Sequence, residues 1–376
     1  MRVVIVGAGP AGLYLAYLLR RSKLDVDVEI FEQNPAGATF GFGLVFSERA
    51  LEFPNVEDPA THAAIKPALE TWNDSILVHK GREIRIDGMG YTGIGRLRLL
   101  QLLQARSRSA GIEPRYLHPI DGLDACGQAD LIVGADGVNS LVRRSHEDVF
   151  GTTVSLFTNR FAWFGTAKRF EALTHTFIET ELGYFNAHHH RHAPDMSTFV
   201  VEVDEATFFR AGFDSMDLDR TQTVSECVFA ETLDGHGLVS NKSIWRQFPT
   251  VWNDRWSAGN RVLIGDAAHT AHFSIGSGTR LALEDAIALV KALEIHAQDI
   301  PASLAAYEAA RKPLVAKLVA AADSSAVWYE QFARHMALAP MDFAMSYITR
   351  SGRVDLERLR RSSPAFVAAY EASRRT

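Results

Sequence analysis

The chain opens on Val3-Val4-Ile5-Val6 and runs directly into Gly7-Ala8-Gly9-Pro10-Ala11-Gly12. A short apolar, β-branched run of this kind suits a strand buried on both faces, as in a parallel sheet. Glycines at G-x-G-x-x-G spacing between a strand and a helix solve three steric problems. Gly7 allows the tight turn, Gly9 lets a pyrophosphate approach the backbone, and Gly12 lets helix and strand pack closely. Leu13 to Arg20 continues with helical character, and Val26 to Phe31 reads as a second strand ending at Glu32. Strand, turn, helix and strand make one right-handed crossover unit. The helix start offers free N–H groups and partial positive charge to phosphate. Glu32 lies 20 residues beyond Gly12, where its carboxylate can accept hydrogen bonds from ribose hydroxyls. The expectation is an ADP-containing cofactor held by Gly7, Gly9, Ala11, Gly12, Glu32 and Gln33. The alternative is a tight packing turn with a surface glutamate.

The remaining 340-odd residues bound what surrounds this unit. A chain of 376 residues, at roughly 150 per domain, has room for two or three structural units. Its 47% hydrophobic and 22% charged content excludes wholesale disorder. A net charge of −6 argues against nucleic-acid binding driven by counterion release. Two cysteines, Cys126 and Cys227, cannot make a disulfide framework or a four-thiolate metal site, and each reads as a small buried residue. No run of 18 apolar residues is present, so no membrane span is expected. The N-terminal apolar run is too short for a signal peptide, and a cytoplasmic protein is expected.

Further along, Trp72 to Ile86 reads as strands with a turn at Lys80-Gly81, and Arg96 to Ala110 as a helix closed by Gly111. Leu131 to Val133 and Arg261 to Ile264 are buried strands. Between them, Ala162 to Ala167, Thr174 to Glu179, Tyr184 to His192 and Ser197 to Val203 alternate in the manner of an antiparallel sheet with one covered face. Helices are expected from about Thr279 to Leu293 and from Ser303 to about Met336, with short helices from Pro340 to Thr376.

Two later segments separate flavin from nicotinamide. Asp130 to Ser140, with Arg143 following, contains Gly134-Ala135-Asp136-Gly137. Arg261 to His269 contains Gly265-Asp266-Ala267-Ala268-His269, followed by Gly276-Ser277-Gly278-Thr279 and Glu284-Asp285-Ala286. With the opening fingerprint, these motifs resemble, in order and over nearly the whole chain, the single-component flavin-dependent aromatic hydroxylases, the family with the para-hydroxybenzoate hydroxylase fold. The resemblance implies an α/β architecture in which a Rossmann-type FAD-binding domain (1–75, 93–155 and 250–300) is interleaved with an antiparallel-sheet substrate domain (76–92 and 156–249), followed by a C-terminal helical region (301–376). It implies extended FAD with Gly7 to Gly12 and Glu32 on the adenosine side. Arg96 would lie near the pyrophosphate, with Arg98 its rival in register. Asp266 would hold ribityl or phosphate groups, and Asp136 would serve FAD and NAD(P)H binding. Glycines Gly276 and Gly278 would let the backbone approach the isoalloxazine ring, and the helix starting near Thr279 would favour the anionic reduced flavin. The family often has a proline before these glycines; this chain has His272-Phe273-Ser274-Ile275. No second glycine fingerprint is present, in keeping with a family that binds NAD(P)H transiently.

A narrower resemblance lies in Phe40 to Ser47, in Ala187-His188 with Met196 to Phe199, in His272 to Gly276, and in the tail from Thr349 to Phe366. Together these are similar to the hydroxylases of salicylyl-CoA and to the monooxygenase half of 2-aminobenzoyl-CoA monooxygenase/reductases. Several also resemble hydroxylases of tryptophan-derived pigments, so an indole or other natural-product aromatic is the alternative substrate. The chain ends at Thr376 without a reductase half, and simple hydroxylation is expected. The resemblance implies that NAD(P)H reduces FAD, that O2 forms a flavin C4a-hydroperoxide, and that this delivers an electrophilic OH to an electron-rich ring. The cofactor carries the difficult chemistry. The protein orients the ring, excludes water and supports removal of a phenol or amine proton. A catalytically silent flavoprotein-fold binding protein is the non-enzyme alternative, which intact cofactor motifs disfavour.

His272, in the flavin loop, is the first candidate for a catalytic residue at the substrate; a turn histidine bonded to backbone is the competing reading. His188, on the sheet, is the second. His269 reads as a structural residue of the turn after Asp266. His188, His190 and His192 would share one strand face, but no carboxylate or thiolate is matched to them and no metal is expected. Phe42, Gly43 and Phe273 are candidate substrate contacts. From Arg350 onward there are seven arginines against three acids. Such a run is ordinarily a solvated face. The functional reading is a phosphate clamp for CoA, with Arg353 and Arg360 as candidates. The sequence carries no signal for oligomeric state.

Overall fold

The Arg2–Val6 strand is an interior strand of a five-stranded sheet, and its residues from Val3 to Val6 are buried. It pairs in parallel with Asp27–Phe31 on one side and Leu131–Gly134 on the other; Arg261–Leu263 adds in parallel to the latter. Ser257–Ala258 closes the edge antiparallel. The register aligns Val6 with Phe31 and Gly134, and Gly134 with Leu263. The carboxyl ends of four strands therefore stop at one level. The segments that follow them are Gly7 to Gly12, Glu32, Ala135 to Gly137 and Gly265-Asp266. Motifs far apart in sequence meet at this end of the sheet, where open α/β sheets bind ligands. This computed structural model describes residues 1–47, 52–296 and 299–375; the parts of the expected segments at 48–51, 297–298 and 376 lie outside the described residues.

A seven-stranded sheet stands across from that end, in the order Leu238–Ser240, Arg160–Thr166, Met196–Val203, Gly183–Ala193, Leu173–Thr180, Ser75–His79, Arg82–Ile86. The expected all-antiparallel pairing is corrected at one junction, where Leu173–Thr180 runs parallel to Ser75–His79. The two strands are joined by a long excursion through the other sheet, not by a hairpin, so a parallel pairing is open to them. The Lys80-Gly81 turn has φ of +52° and +70°, as a two-residue hairpin loop requires. Alternation splits the strands cleanly. Phe164, Phe185, Ala187, Phe199 and Val201 pack under Phe208, Phe213, Phe229 and Leu233 on the outer face. Phe161, Trp163, His175, His188 and His190 fall on the inner face by register.

Two smaller sheets are not visible in the sequence periodicity. Tyr91–Gly95 pairs with Gly43–Ser47 and Glu70–Trp72, and Thr152–Leu156 pairs with Pro249–Asn253. The helix after the flavin loop spans Gly278–His296. The next starts at Ile300, where the Asp299 carboxylate accepts the Ala302 N–H at 2.9 Å, and stops at Glu330, short of the expected Met336. The tail forms Pro340–Thr349, Leu356–Ser362 and Pro364–Ser373, which pack with Trp328 and Phe332 against Leu77, Ile84, Ile86 and Phe177 of the large sheet. Cys126 is buried as expected. Cys227 is exposed, a correction that follows from its place on the outward side of a surface helix. Among the described residues no helix is long and apolar enough to cross a membrane.

Candidate active site

A cavity of about 310 Å³ lies between the carboxyl end of the parallel sheet and the inner face of the large sheet. It shares Gly9, Arg96 and Thr279 with a chamber of about 190 Å³ that reaches Glu32. It shares Val45, His188, Phe273 and Gly276 with another of about 200 Å³ that opens past Tyr91 and Arg350. The three make one continuous groove.

The first two chambers fit an extended dinucleotide on their own geometry. The Pro10–Arg21 helix begins at Gly9 with no side-chain cap, so its first N–H groups face the groove. A Cβ on Gly9 or Gly278 would meet nothing within 4 Å. These two glycines thus leave backbone bare toward open space. Gly7, Gly12 and Gly276 do something else. Gly7 has φ +103°, and a Cβ there would meet the Ala135 carbonyl at 2.4 Å. On Gly12 it would meet the Gly7 carbonyl at 2.0 Å, and on Gly276 (φ +60°) the Val45 carbonyl at 2.6 Å. Gly7 and Gly12 hold the turn and the packing behind the cavity wall, and Gly276, itself part of that wall, holds its loop close against Val45.

Arg96 belongs to both chambers and lies over the Trp163 ring, 5.0 Å from its centroid. No carboxylate stands at ion-pair distance from it among the described residues. Burial pushes its pKa down, with Asp266 opposing. Its rival Arg98 is exposed and off the groove. Asp266 opens onto the cavity; enclosure by protein raises its carboxyl pKa, while His269 and Arg96 pull it back. Glu32 lines the far chamber with Gln104 and Tyr116, its oxygens accepting the Ala8 and Asn34 N–H groups at 2.8 Å each. Ala11 and Thr279 also line the groove. Gln33 is exposed and outside it, in the bend that follows the Asp27–Phe31 strand. Asp136 is corrected to a structural cap: its Oδ2 accepts the Leu141 and Val142 N–H groups at 2.6 and 3.3 Å, and only its neighbours Ala135 and Gly137 face the cavity.

The Asp266-Ala267-Ala268-His269 turn is locked from behind. Asp285 accepts from the Gly265 N–H at 3.0 Å, lies 2.8 Å from His269 Nε2, and accepts from Arg311 Nε at 2.9 Å. Burial alone would raise the Asp285 pKa; His269 and Arg311 reverse the sign and hold it below the ordinary carboxylate value. His269 is structural, as expected.

On the substrate side, His188 lines both the main cavity and the outer chamber, with Phe273 beside it at a ring separation of 5.5 Å. Burial, then Arg350, lowers its pKa to about 4, so its imidazole is neutral at neutral pH. The expectation for His272 is corrected. Its Nδ1 is 2.9 Å from Ser274 Oγ and accepts the Ser274 N–H, and its ring sits among Phe157, Phe248 and Phe273. The following serine supplies donors that fold the ring back onto its own turn, away from the cavity.

Phe42 is likewise off the cavity, packed on Gly165 of the large sheet, whereas Gly43 lines it. A Cβ on Gly43 would collide with His192 and Thr198, and its N–H donates to Thr198 Oγ1 at 2.7 Å. Arg353 reaches the outer chamber. Arg360 does not: it is exposed and ion-paired with Glu357 and Glu371. His190 lines the cavity, but among the described residues no three His, Cys, Asp or Glu side chains converge as metal ligands. Phe161, Trp163, Phe248, Tyr91, His175, Tyr347, Arg350, Arg280 and Arg358 complete the walls without having been singled out from sequence. For Phe161 and Trp163 a signal existed, since they alternate on the strand that carries them. Arg280 directly follows Thr279.

A family model described as an FAD binding domain matches residues 98–322, and one described as an NAD(P)-binding Rossmann-like domain matches residues 5–50. A salicyloyl-CoA 5-hydroxylase from Streptomyces sp. is 40% identical over 362 residues, covering 93% of this chain and 70% of that protein. The 3-hydroxy-4-methyl-anthranilyl-[aryl-carrier protein] 5-monooxygenase of Streptosporangium sibiricum is 35% identical, covering 94% of this chain and 95% of that protein. The protodeoxyviolaceinate monooxygenase of Chromobacterium violaceum is 33% identical, covering 93% and 94%. Among solved structures, 2-methyl-3-hydroxypyridine-5-carboxylic acid oxygenase superposes with a TM-score of 0.71 at 19% identity, covering 95% of this chain and 98% of that one, a likeness of fold. The chain belongs to the FAD-dependent aromatic monooxygenases: it takes FAD as cofactor and NAD(P)H as electron donor, and hydroxylates an aromatic ring with O2.

Proposed function

We propose that this monooxygenase hydroxylates an activated hydroxy- or aminobenzoyl thioester of the salicyloyl-CoA type, and that the groove divides between cofactor and substrate. Gly9 and Arg96 hold the FAD pyrophosphate, Glu32 the adenosine side, and Asp266 the ribityl side. The Gly43–Ser47 strand and the Gly276 to Thr279 loop hold the ring system. FAD, when bound and reduced by NAD(P)H, supplies an electrophilic oxygen from O2.

The chain's own residues do the rest. Phe161, Trp163, Phe248 and Phe273 wall the cavity with apolar surface and keep water from the reacting centre. His188, neutral at neutral pH, accepts a hydrogen bond from the ring hydroxyl or amine. Arg350, with no carboxylate at ion-pair distance among the described residues, favours the phenolate and so enriches the ring in electrons. The single observation that carries this reading is that His188 and Phe273 line both the main cavity and the outer chamber, so a ring held beside them in the main cavity has room for a long substituent in the outer chamber.

The purified protein should be yellow. Salicyloyl-CoA should accelerate NAD(P)H oxidation with hydroxylated product formed in step. Acceleration that yields only hydrogen peroxide, or a clear preference for an indole in a substrate panel, would count against this substrate class.

A further inference from the structure

The outer chamber changes character along its length. Its inner end is lined by Val45, Phe46, His188 and Phe273, and its rim by Arg280, Arg353 and Arg358. The three arginines come from separate elements. Arg280 lies in the first turn of the Gly278–His296 helix, Arg353 in the turn after Pro340–Thr349, and Arg358 in Leu356–Ser362. Among the described residues, Arg353 and Arg358 have no carboxylate side chain at ion-pair distance. Arg358 spends one N–H on the Arg353 carbonyl at 3.1 Å. Only Arg280 meets an acid, Glu284 at 2.7 Å, and Glu284 is shared with Arg311 at 3.0 Å. Among the described residues, three guanidinium groups thus rim one opening against a single shared carboxylate. Burial, then the charges of Arg280 and Arg358, pushes the Arg353 pKa down. Like charges held together with too few counterions are unfavourable, and a bound phosphate relieves them through short charge-assisted hydrogen bonds.

Resting on the thioester reading above, we infer that Arg280, Arg353 and Arg358 form the binding site for the phosphate of a phosphopantetheine-type thioester whose aryl end reaches His188. An aromatic inner end and a triply cationic rim suit an amphiphile, apolar at one end and anionic at the other. The same tail chemistry occurs in free acyl-CoA and in an acyl group tethered to a carrier protein.

The test uses FAD-loaded enzyme, the R353E/R358E double variant and Arg360→Glu as a surface control. KM is measured for salicyloyl-CoA, for the phosphate-free N-acetylcysteamine thioester of salicylate, and for NAD(P)H. The double variant should raise KM for the CoA ester by roughly tenfold or more and leave KM for the truncated thioester and for NAD(P)H unchanged, while R360E should change none of them. An equal rise for the truncated thioester, or a rise confined to NAD(P)H, overturns the assignment.

Titration of the flavin absorbance with coenzyme A itself needs no turnover. A perturbation in the wild type that is lost in R353E/R358E supports the rim even if salicyloyl-CoA proves not to be the substrate. No perturbation in the wild type overturns it. The ester presented on coenzyme A and on an aryl-carrier protein separates the two sources: whichever ester loses more affinity on charge reversal is the one the rim reads, and loss with neither overturns the inference.

Discussion

The Arg350 guanidinium lies over the Tyr347 ring, 3.8 Å from its centroid, while the Tyr347 hydroxyl sits 2.8 Å from His175 Nε2. Arg350 also donates to the Ser274 carbonyl at 2.9 Å and to Ser325 Oγ at 2.9 Å. His175 is directly opposite His188 in the sheet. The C-terminal helices therefore fix one positive charge beside the flavin loop and the inner sheet face. This is a link between regions some 75 to 170 residues apart in the chain.

That charge should lower the pKa of a bound phenol. Replacing Arg350 by Met should shift the alkaline absorbance transition of bound salicyloyl-CoA to higher pH and cut hydroxylation by roughly tenfold, one unit of pKa being about 1.4 kcal/mol. Arg350→Lys should recover part of the shift. An unmoved transition in R350M would remove the electrostatic role and leave Arg350 as a tie between elements.

His188 and His272 should separate cleanly. His188→Gln should lower hydroxylation and raise uncoupled peroxide while FAD content and Tm stay near wild type, because the side chain faces open cavity. His272→Ala removes a cap on Ser274 and empties space among three phenylalanines. It should destabilise by roughly 1–3 kcal/mol and leave coupling per folded, flavin-loaded enzyme close to wild type. Normal stability with lost coupling in H272A would reverse the assignment of the two histidines.

The two kinds of glycine in the fingerprint make a further pair. A Cβ on Gly9 has open space, so Gly9→Val should fold and lose FAD retention by filling the ligand's approach. A Cβ on Gly12 would lie 2.0 Å from the Gly7 carbonyl, so Gly12→Val should be recovered poorly and melt early. Thermal melts of apoprotein alongside flavin content distinguish the two. A G9V protein that is as yellow as wild type would move the pyrophosphate elsewhere.

Much of this arrangement was legible because the glycine fingerprint, Glu32 and the Asp266 turn follow strands of one sheet, and strand ends bring their sequels together whatever the sequence distance. Side-chain direction within a turn was not legible. His272 and Phe273 are adjacent, and the hydrogen bonds to Ser274 together with packing on Phe157 and Phe248 hold His272 off the cavity that Phe273 lines. The arginine run showed the same limit. Arg360 and Arg353 look alike in sequence, yet Glu357 and Glu371 occupy one, while among the described residues no acid pairs with the other. Arg280 came to the rim from another helix altogether. The parallel junction between Leu173–Thr180 and Ser75–His79 was hidden because alternation reports which face is buried and says nothing of strand direction.

Glu202 provides the pH prediction. It sits on the inner sheet face, 1% exposed, with one oxygen accepting Asn159 Nδ2 at 2.8 Å and the other without a partner. Burial pushes its pKa up from 4.5 to about 7, Asn159 opposing and Glu330 adding to the rise. The folded state therefore keeps a proton that the unfolded chain releases near pH 4.5. The stability this proton contributes is fully present below that pH and is lost as pH climbs through about 7, an effect of roughly 3 kcal/mol. Glu202→Gln carries no such proton, so its stability should fall less between pH 5 and pH 8 than that of the wild type, and it should be the more stable protein at pH 8. Buried histidines contribute in both proteins and cancel in the difference. Denaturant melts of the two proteins at both pH values measure it directly, and parallel pH dependences would mean that Glu202 ionises at its ordinary pKa inside the fold.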